Sequence, residues 1–199
     1  MRRFLAAQFA PVLRAWRNGY EAEVRRAAIA FFLLVFLAFG VCRAVPELRL
    51  GFSAYLQHLF QGMDLTDGAG NLSPLLLLAN NLRACAVTML YGLIPFVRLP
   101  ALALGVNAVL LGGLAACYAA TDTTMLLYAA SLLPHGIFEL PALILAFSMG
   151  LYICGHLTRR CRRDPAALPL GACLGLAALL VLAALTEAYV TPLAAGLFL

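Results

Sequence analysis

Long runs of hydrophobic residues, separated by short polar stretches, dominate the pattern along the chain. Several of these runs reach the roughly 20 residues that an α-helix needs to cross a bilayer core of about 30 Å. The short alternating segments of a membrane β-barrel are not seen in the sequence. The fold class predicted is therefore all-α, a polytopic membrane helical bundle with about five transmembrane helices. The predicted spans cover about residues 27–45, 74–97, 100–119, 138–155 and 168–185.

Two further segments space their apolar residues at helical intervals but are too polar to span a bilayer. In residues 1–26 the apolar side chains recur every three to five positions between arginines, which predicts an amphipathic interfacial helix, bent at Pro11. A plain cytosolic extension is the alternative. Residues 46–60 predict a short helix lying on the membrane, followed by a turn at 64–71. We expect one integral membrane domain over 1–199, with 27–197 as the bundle.

Composition and charge indicate a membrane protein. They give no reason to expect a nucleic-acid partner. The chain is 64% hydrophobic and 12% charged, whereas a soluble domain has about 25% charged residues. All basic residues are arginine, and they lie beside hydrophobic runs, which favours headgroup contact and orientation. Residues 2–26, Arg98 and 159–163 fall on one side of a five-span model, which predicts a cytoplasmic N-terminus and an external C-terminus. Charges before the first long run argue against a cleavable signal peptide.

The stretch "SLLPHGIFELPALILAFSMG" (131–150) interrupts hydrocarbon with ionisable residues and prolines. Pro134 disfavours helix at the residue before it, and Gly136 permits a turn. Pro141 is tolerated in the first turn of a new helix. We therefore predict a short re-entrant helix from residue 125, a break at 134–136, and then the long fourth span.

Polar residues of the second, fourth and fifth spans are predicted to share the outer leaflet. Charges within a span cost about 2.5–3.5 kcal/mol each, so they usually pair, and we expect Arg83 to pair with Glu139 or Glu187. Asn107 lies deeper, where it either bonds across helices or lines a route inward. The cluster either locks the helices together or binds a ligand, ion or proton. Its predicted members are Asn80, Asn81, Arg83, Asn107, His135, Gly136, Glu139, Pro141, Glu187 and Tyr189.

Sequence motifs for catalysis are missing. His135 and Glu139 lie one turn apart and could be two metal ligands, but a catalytic zinc site needs three and no H-E-x-x-H is present. The six cysteines form no C-x-x-C, so neither a zinc ribbon nor a disulfide scaffold is indicated. We expect no enzyme activity, metal or cofactor. Small residues such as Gly112 and the Gly171–Gly175 pair predict close helix packing within the bundle or, alternatively, between copies in a homo-oligomer.

The strings "LLPHGIFELPALILA" and "EAYVTP", with "NNLRACAV" and Asn107, resemble the stage II sporulation protein M family over residues 74–192. Ala108 departs from the glycine expected there. The resemblance implies a multi-pass protein of the bacterial cytoplasmic membrane. The family's namesake holds peptidoglycan-degrading partners together at the septal membrane during engulfment, and many relatives occur in organisms that do not sporulate. No catalytic role follows for the matching residues, which are Asn80, Asn107, His135, Gly136, Glu139, Pro141 and Glu187.

Two functions are compatible with these observations. The first is a non-enzymatic membrane scaffold that recruits or localises peptidoglycan-remodelling partners in the cell envelope. The alternative is a small transporter or channel whose polar site is formed by Arg83, His135, Glu139 and Glu187.

Overall fold

The computed structural model describes residues 10–61, 72–94, 96–120, 125–158 and 170–198. The predicted turn at 64–71, the basic residues 159–163 and the first nine residues lie outside these ranges.

The regular secondary structure of the described residues is helical. After a helical segment at 10–15, a single π-type turn covers Trp16–Tyr20. The helices are then α1 (Glu21–Ala44), α2 (Pro46–Gln61), α3 (Pro74–Tyr91), α4 (Leu99–Tyr118), α5 (Met125–Thr158), α6 (Leu170–Tyr189) and α7 (Thr191–Gly196).

Five helical segments are long and apolar enough to cross a bilayer by length and composition, which confirms the predicted all-α class. They run over Ala10–Ala44, Pro74–Tyr91, Leu99–Tyr118, Met125–Thr158 and Gly171–Gly196. The helix predicted after residue 46 is confirmed as α2. Its location on the membrane surface stays a prediction. That the whole chain forms a single domain also stays a prediction.

The N-terminal segment bends at Gly19, whereas the turn that precedes Pro11 lies outside the described residues, so the bend expected there stays a prediction. Asn18 and Gly19 have non-helical dihedral angles, and Gly19 has φ of 109°, a conformation that residues with a Cβ rarely adopt. The bend lets Tyr20 pack edge-on against Tyr152, with ring centroids 5.8 Å apart, and donate a hydrogen bond to the Leu145 carbonyl at 2.8 Å. The segment is thereby fixed to α5, and its interfacial location stays a prediction.

The core lies around the middle of α5. The Phe31 side chain of α1, Phe147 of α5 and Leu180 of α6 are almost fully buried there. A Cβ on Gly112 of α4 would collide with the Val35 carbonyl of α1, so these two backbones touch. The prediction that small residues serve internal packing holds at Gly112, whereas Gly175 has open space beside it.

The predicted break at 134–136 is wrong, because α5 is one helix of 34 residues with Pro134 and Pro141 inside it. Each proline removes only one backbone donor, which leaves the carbonyl four residues earlier without its helical partner. Transmembrane helices tolerate such losses because packing with neighbouring helices holds them. The buried central stretch of α5, residues 142–150, supplies that packing. His135 and Glu139 therefore lie on an uninterrupted helix.

Candidate functional site

Two helices bring one histidine and two glutamates together. His135 and Glu139 are one turn apart on α5, a spacing that puts both side chains on the same face. Glu187 lies in the last turn of α6. One ligand atom from each of the three residues lies within 4.8 Å of the other two, and His135 Nε2 is 3.9 Å from Glu139 Oε2. We call these three residues the His–Glu–Glu cluster.

The His135 ring is oriented by a threonine at the start of α7. His135 Nδ1 lies 3.2 Å from Thr191 Oγ1, and that hydroxyl donates to the Thr186 carbonyl at 3.3 Å. A threonine hydroxyl has one hydrogen, so when Thr191 Oγ1 donates to the Thr186 carbonyl it accepts from His135 Nδ1–H. In that arrangement the proton of the neutral ring is on Nδ1, and Nε2, which lies 3.9 Å from Glu139 Oε2, carries the lone pair.

The cluster is partly buried within the helical bundle. The side chains of His135 and Glu139 are 13% and 21% exposed, and Glu187 is half-buried. The buried thiol of Cys85, on α3, packs in the same core cluster as Ala142 of α5 and Leu180 of α6. α3, α5 and α6 therefore meet here, and α7 contributes Thr191.

Arg83 does not pair with either glutamate. Its side chain is exposed, and the ion pairs found within the described residues are Glu23 with Arg26 and His135 with Glu139. The predicted Arg83 link to Glu139 or Glu187 is therefore wrong. The physical reason is the direction in which the side chain points. Arg83 lies two residues from each of the buried positions 81 and 85, which places it on the opposite face of α3.

The remaining predicted members are not shown to join the cluster. Asn81 is buried and Asn80 is exposed, with 3.5 Å between Asn80 Nδ2 and Asn81 Oδ1. Asn107 donates to the Ala103 carbonyl of its own helix at 2.9 Å, which does not support a bond to another helix, one of the two roles expected for it. Pro141 and Tyr189 are exposed, the latter by 63%.

Gly136 is buried, but a Cβ there would meet the Leu132 side chain only at an ordinary 3.6 Å. Since the helix continues through this position, the predicted turn role of Gly136 has no basis in the structure.

Sequence reasoning missed Thr186 and Thr191, and it did not recognise that Glu187 could hold a metal ion together with His135 and Glu139. The signal for Thr191 was present in "EAYVTP", the same string that contains Glu187. A threonine next to a proline in an apolar chain has no obvious partner in sequence. Only the fold of α7 back onto α5 places its hydroxyl against the imidazole.

The opposite end of α5 carries a different polar feature. A cavity of about 520 Å³ is lined there by Arg26 of α1, Arg98 before α4, and Tyr152 and His156 of α5. Glu139 and Tyr152 are 13 residues apart, which is about 20 Å along a helix. Buried apolar side chains such as Phe147 and Leu180 fill the space between the two ends.

Five spanning helices and a polar cluster within them define a multi-pass membrane protein. The family model of stage II sporulation protein M matches residues 27–192, most of the chain. The protein belongs to the stage II sporulation protein M family. The match begins well before residue 74, where the resemblance visible in the sequence begins. Comparison with curated proteins and with solved structures gave no significant match.

Proposed function

We propose that this protein is a non-enzymatic membrane scaffold that recruits or localises peptidoglycan-remodelling partners at the cell envelope. The observation that carries the proposal is family membership over residues 27–192, since the namesake of that family holds such partners together. The bacterial cytoplasmic membrane is the location that this function requires. A cytoplasmic N-terminus and an external C-terminus complete the proposal, on the basis of the arginines near the N-terminus and at Arg98.

The packed interior favours a scaffold over a transporter. A transporter needs a route between the His–Glu–Glu cluster and the cavity near the C-terminal end of α5. That route is either lined by polar groups or opened by a conformational change. Leu143, Phe147 and Leu180 lie between these ends, each at most 9% exposed. An interior packed at protein density resists local rearrangement, which suits a protein that holds partners in fixed positions.

The test is capture of partners from the native membrane. Tagged full-length protein is crosslinked in cells of its host and purified, and the recovered material is assayed for peptidoglycan-degrading activity in a gel containing peptidoglycan. We expect such activity with the protein and none with an unrelated tagged membrane protein of similar size. Recovery of no peptidoglycan-degrading activity would contradict the scaffold function.

Glu139→Gln distinguishes the scaffold from the transporter, with Glu47→Gln at an exposed position as the matched control. Each variant is expressed in a deletion strain, and abundance, partner recovery and rescue of the envelope defect are measured together. For a scaffold, Glu139→Gln lowers rescue only to the extent that it lowers abundance or partner recovery. A Glu139→Gln protein that is abundant and partner-bound yet fails to rescue would favour the transporter.

A further inference from the structure

We propose that His135, Glu139 and Glu187 form a binding site for one divalent transition-metal ion of the Zn²⁺ class, linking α5 to α6. The juxtaposition of these three side chains carries the proposal, which does not depend on the scaffold function. Neither the family match nor the sequence motifs assign a metal to this protein.

The distances fit a single ion after small side-chain movements. Three atoms that all lie within 4.8 Å of one another have a common centre at most about 2.8 Å from each of them. Zinc binds imidazole nitrogen and carboxylate oxygen at about 2.0–2.2 Å. The ligand atoms therefore need to move inward by a few tenths of an ångström, which glutamate side chains achieve by small torsional changes. Three protein ligands leave a fourth position open.

The hydrogen bonds of His135 point to a ligand at Nε2. Metal-binding histidines almost always donate their other ring N–H to an oxygen, which fixes the tautomer and the ring orientation. His135 Nδ1 has that partner in Thr191 Oγ1, and the threonine is held in turn by the Thr186 carbonyl. Nε2 is then an electron-pair donor 3.9 Å from a carboxylate oxygen, too far for a hydrogen bond. A cation between the two atoms turns this contact into two favourable ones.

The charges of the cluster also call for a cation. Two carboxylates that lie close together in a poorly solvated place repel each other, so they must share a proton or be neutralised. Arg83, the predicted counter-charge, is exposed and pairs with neither glutamate. A divalent ion balances two carboxylates and a neutral imidazole.

The ligand types select the class of metal. Imidazole nitrogen favours Zn²⁺ and its transition-metal neighbours, whereas Ca²⁺ and Mg²⁺ prefer sites made of oxygen atoms. A site of one nitrogen and two carboxylates therefore favours Zn²⁺ over Mg²⁺ and Ca²⁺. His135 and Glu139 are 13% and 21% exposed, so the protein itself does not seal the site.

The experiment measures Zn²⁺ binding to the purified full-length protein in detergent, after chelator treatment, by competition with a chromophoric chelator. We expect one Zn²⁺ per chain. Glu139→Gln and Glu187→Gln keep the shape of each side chain and are expected to weaken binding at least tenfold. Glu47→Gln, the exposed control, is expected to bind as the wild type does.

Thr191→Val tests the positioning of the imidazole. Loss of an outer-shell hydrogen bond of this kind typically lowers metal affinity about 10–100-fold, and we expect a decrease in that range. The thermal stability of the metal-free variant is measured in parallel. If Thr191→Val lowered stability but left Zn²⁺ affinity unchanged, the role assigned to Thr191 at the metal would be overturned.

The wild type alone also tests the proposal, in case a variant fails to fold. Co²⁺ in place of Zn²⁺ should give visible absorption of a four- or five-coordinate ion, and pulsed electron paramagnetic resonance of the Cu²⁺ form should detect one imidazole. No saturable Zn²⁺ binding, no bound imidazole or more than one, or equal affinity for Mg²⁺ would each overturn the proposal. Unchanged Zn²⁺ binding by both Gln variants would overturn it as well, and would leave the two carboxyl groups to share a proton.

Discussion

Gly112→Ala tests the closest backbone approach between α1 and α4. The added Cβ would collide with the Val35 carbonyl and lie 3.0 Å from the Ala38 Cβ. Ordinary van der Waals contact begins at 3.4 Å, so the two helices must separate. Both obstacles belong to α1, and one of them is a backbone atom, so a change of side-chain rotamer cannot relieve the collision.

The expected magnitude follows from a comparison with Gly105→Ala on the same helix. A Cβ at Gly105 meets only the Leu34 Cδ1 atom, at 3.9 Å. Both substitutions gain the same helix preference of alanine over glycine, about 0.5–1 kcal/mol. This gain cancels in the difference between the variants, which leaves the overpacking cost of about 1–3 kcal/mol. We expect Gly112→Ala to be less stable than Gly105→Ala by that amount.

Thermal unfolding in mild detergent, followed with a thiol-reactive fluorophore, measures this difference. Cys42, Cys85 and Cys154 are free and buried, so they react when the bundle opens. A difference of 1 kcal/mol corresponds to roughly 2–4 °C for a chain of this length. Equal unfolding temperatures for Gly112→Ala and Gly105→Ala would refute the contact between α1 and α4.

Three further predictions follow from particular contacts. Arg83→Gln and Glu139→Gln should have additive effects on stability within about 0.5 kcal/mol, because the residues do not pair; a larger coupling energy in the double-mutant cycle would contradict the structure. Tyr20→Phe should lose about 0.5–1.5 kcal/mol with its bond to the Leu145 carbonyl, whereas Tyr55→Phe, at an exposed position, should change thermal stability little. Reporter fusions should place the two termini on opposite sides of the membrane, because five spans are crossed; reporters on the same side would exclude a five-span topology.

The five spans were predictable because hydrophobic run length is a direct consequence of bilayer thickness. Their ends were less so. The second span was predicted to reach residue 97, but α3 ends at Tyr91. The chain turns at Gly92, where a Cβ would collide with the Gly150 backbone of α5. This contact joins positions far apart in sequence, and nothing in the local pattern indicates it.

Only part of the candidate site was predicted. The sequence indicates how deep in the membrane a residue lies more readily than which side of its helix the residue faces. His135, Glu139 and Glu187 were expected in one leaflet, and they do meet. Arg83 was expected in the same leaflet but points away. Helical periodicity contained this information, since residues 81, 85 and 88 define the buried face of α3 and Arg83 lies opposite to it. The error came from treating shared depth as contact.

The prolines of α5 were misleading for a related reason. Pro134 and Pro141 are strong local signals for a helix boundary in water, where solvent competes for the backbone. In an apolar bundle a broken helix exposes several backbone groups with no water to receive them, which costs more than one missing hydrogen bond at each proline. The continuous helix therefore has a lower free energy than a helix broken at the prolines.

The proposed metal site and the close glycine contacts both hold helices together within the bilayer. Lipid tails are as apolar as the helix surfaces, so the hydrophobic effect does little to hold helices together within a bilayer. Close backbone approach at Gly112 and Gly150 supplies dispersion contacts in the interior. Toward the end where α6 turns into α7, Thr191 and the His–Glu–Glu cluster replace such contacts with directional ones. A metal there would fix α5 to the last turn of α6, and in the proposed scaffold this link would hold the two helices in the single geometry in which partners dock.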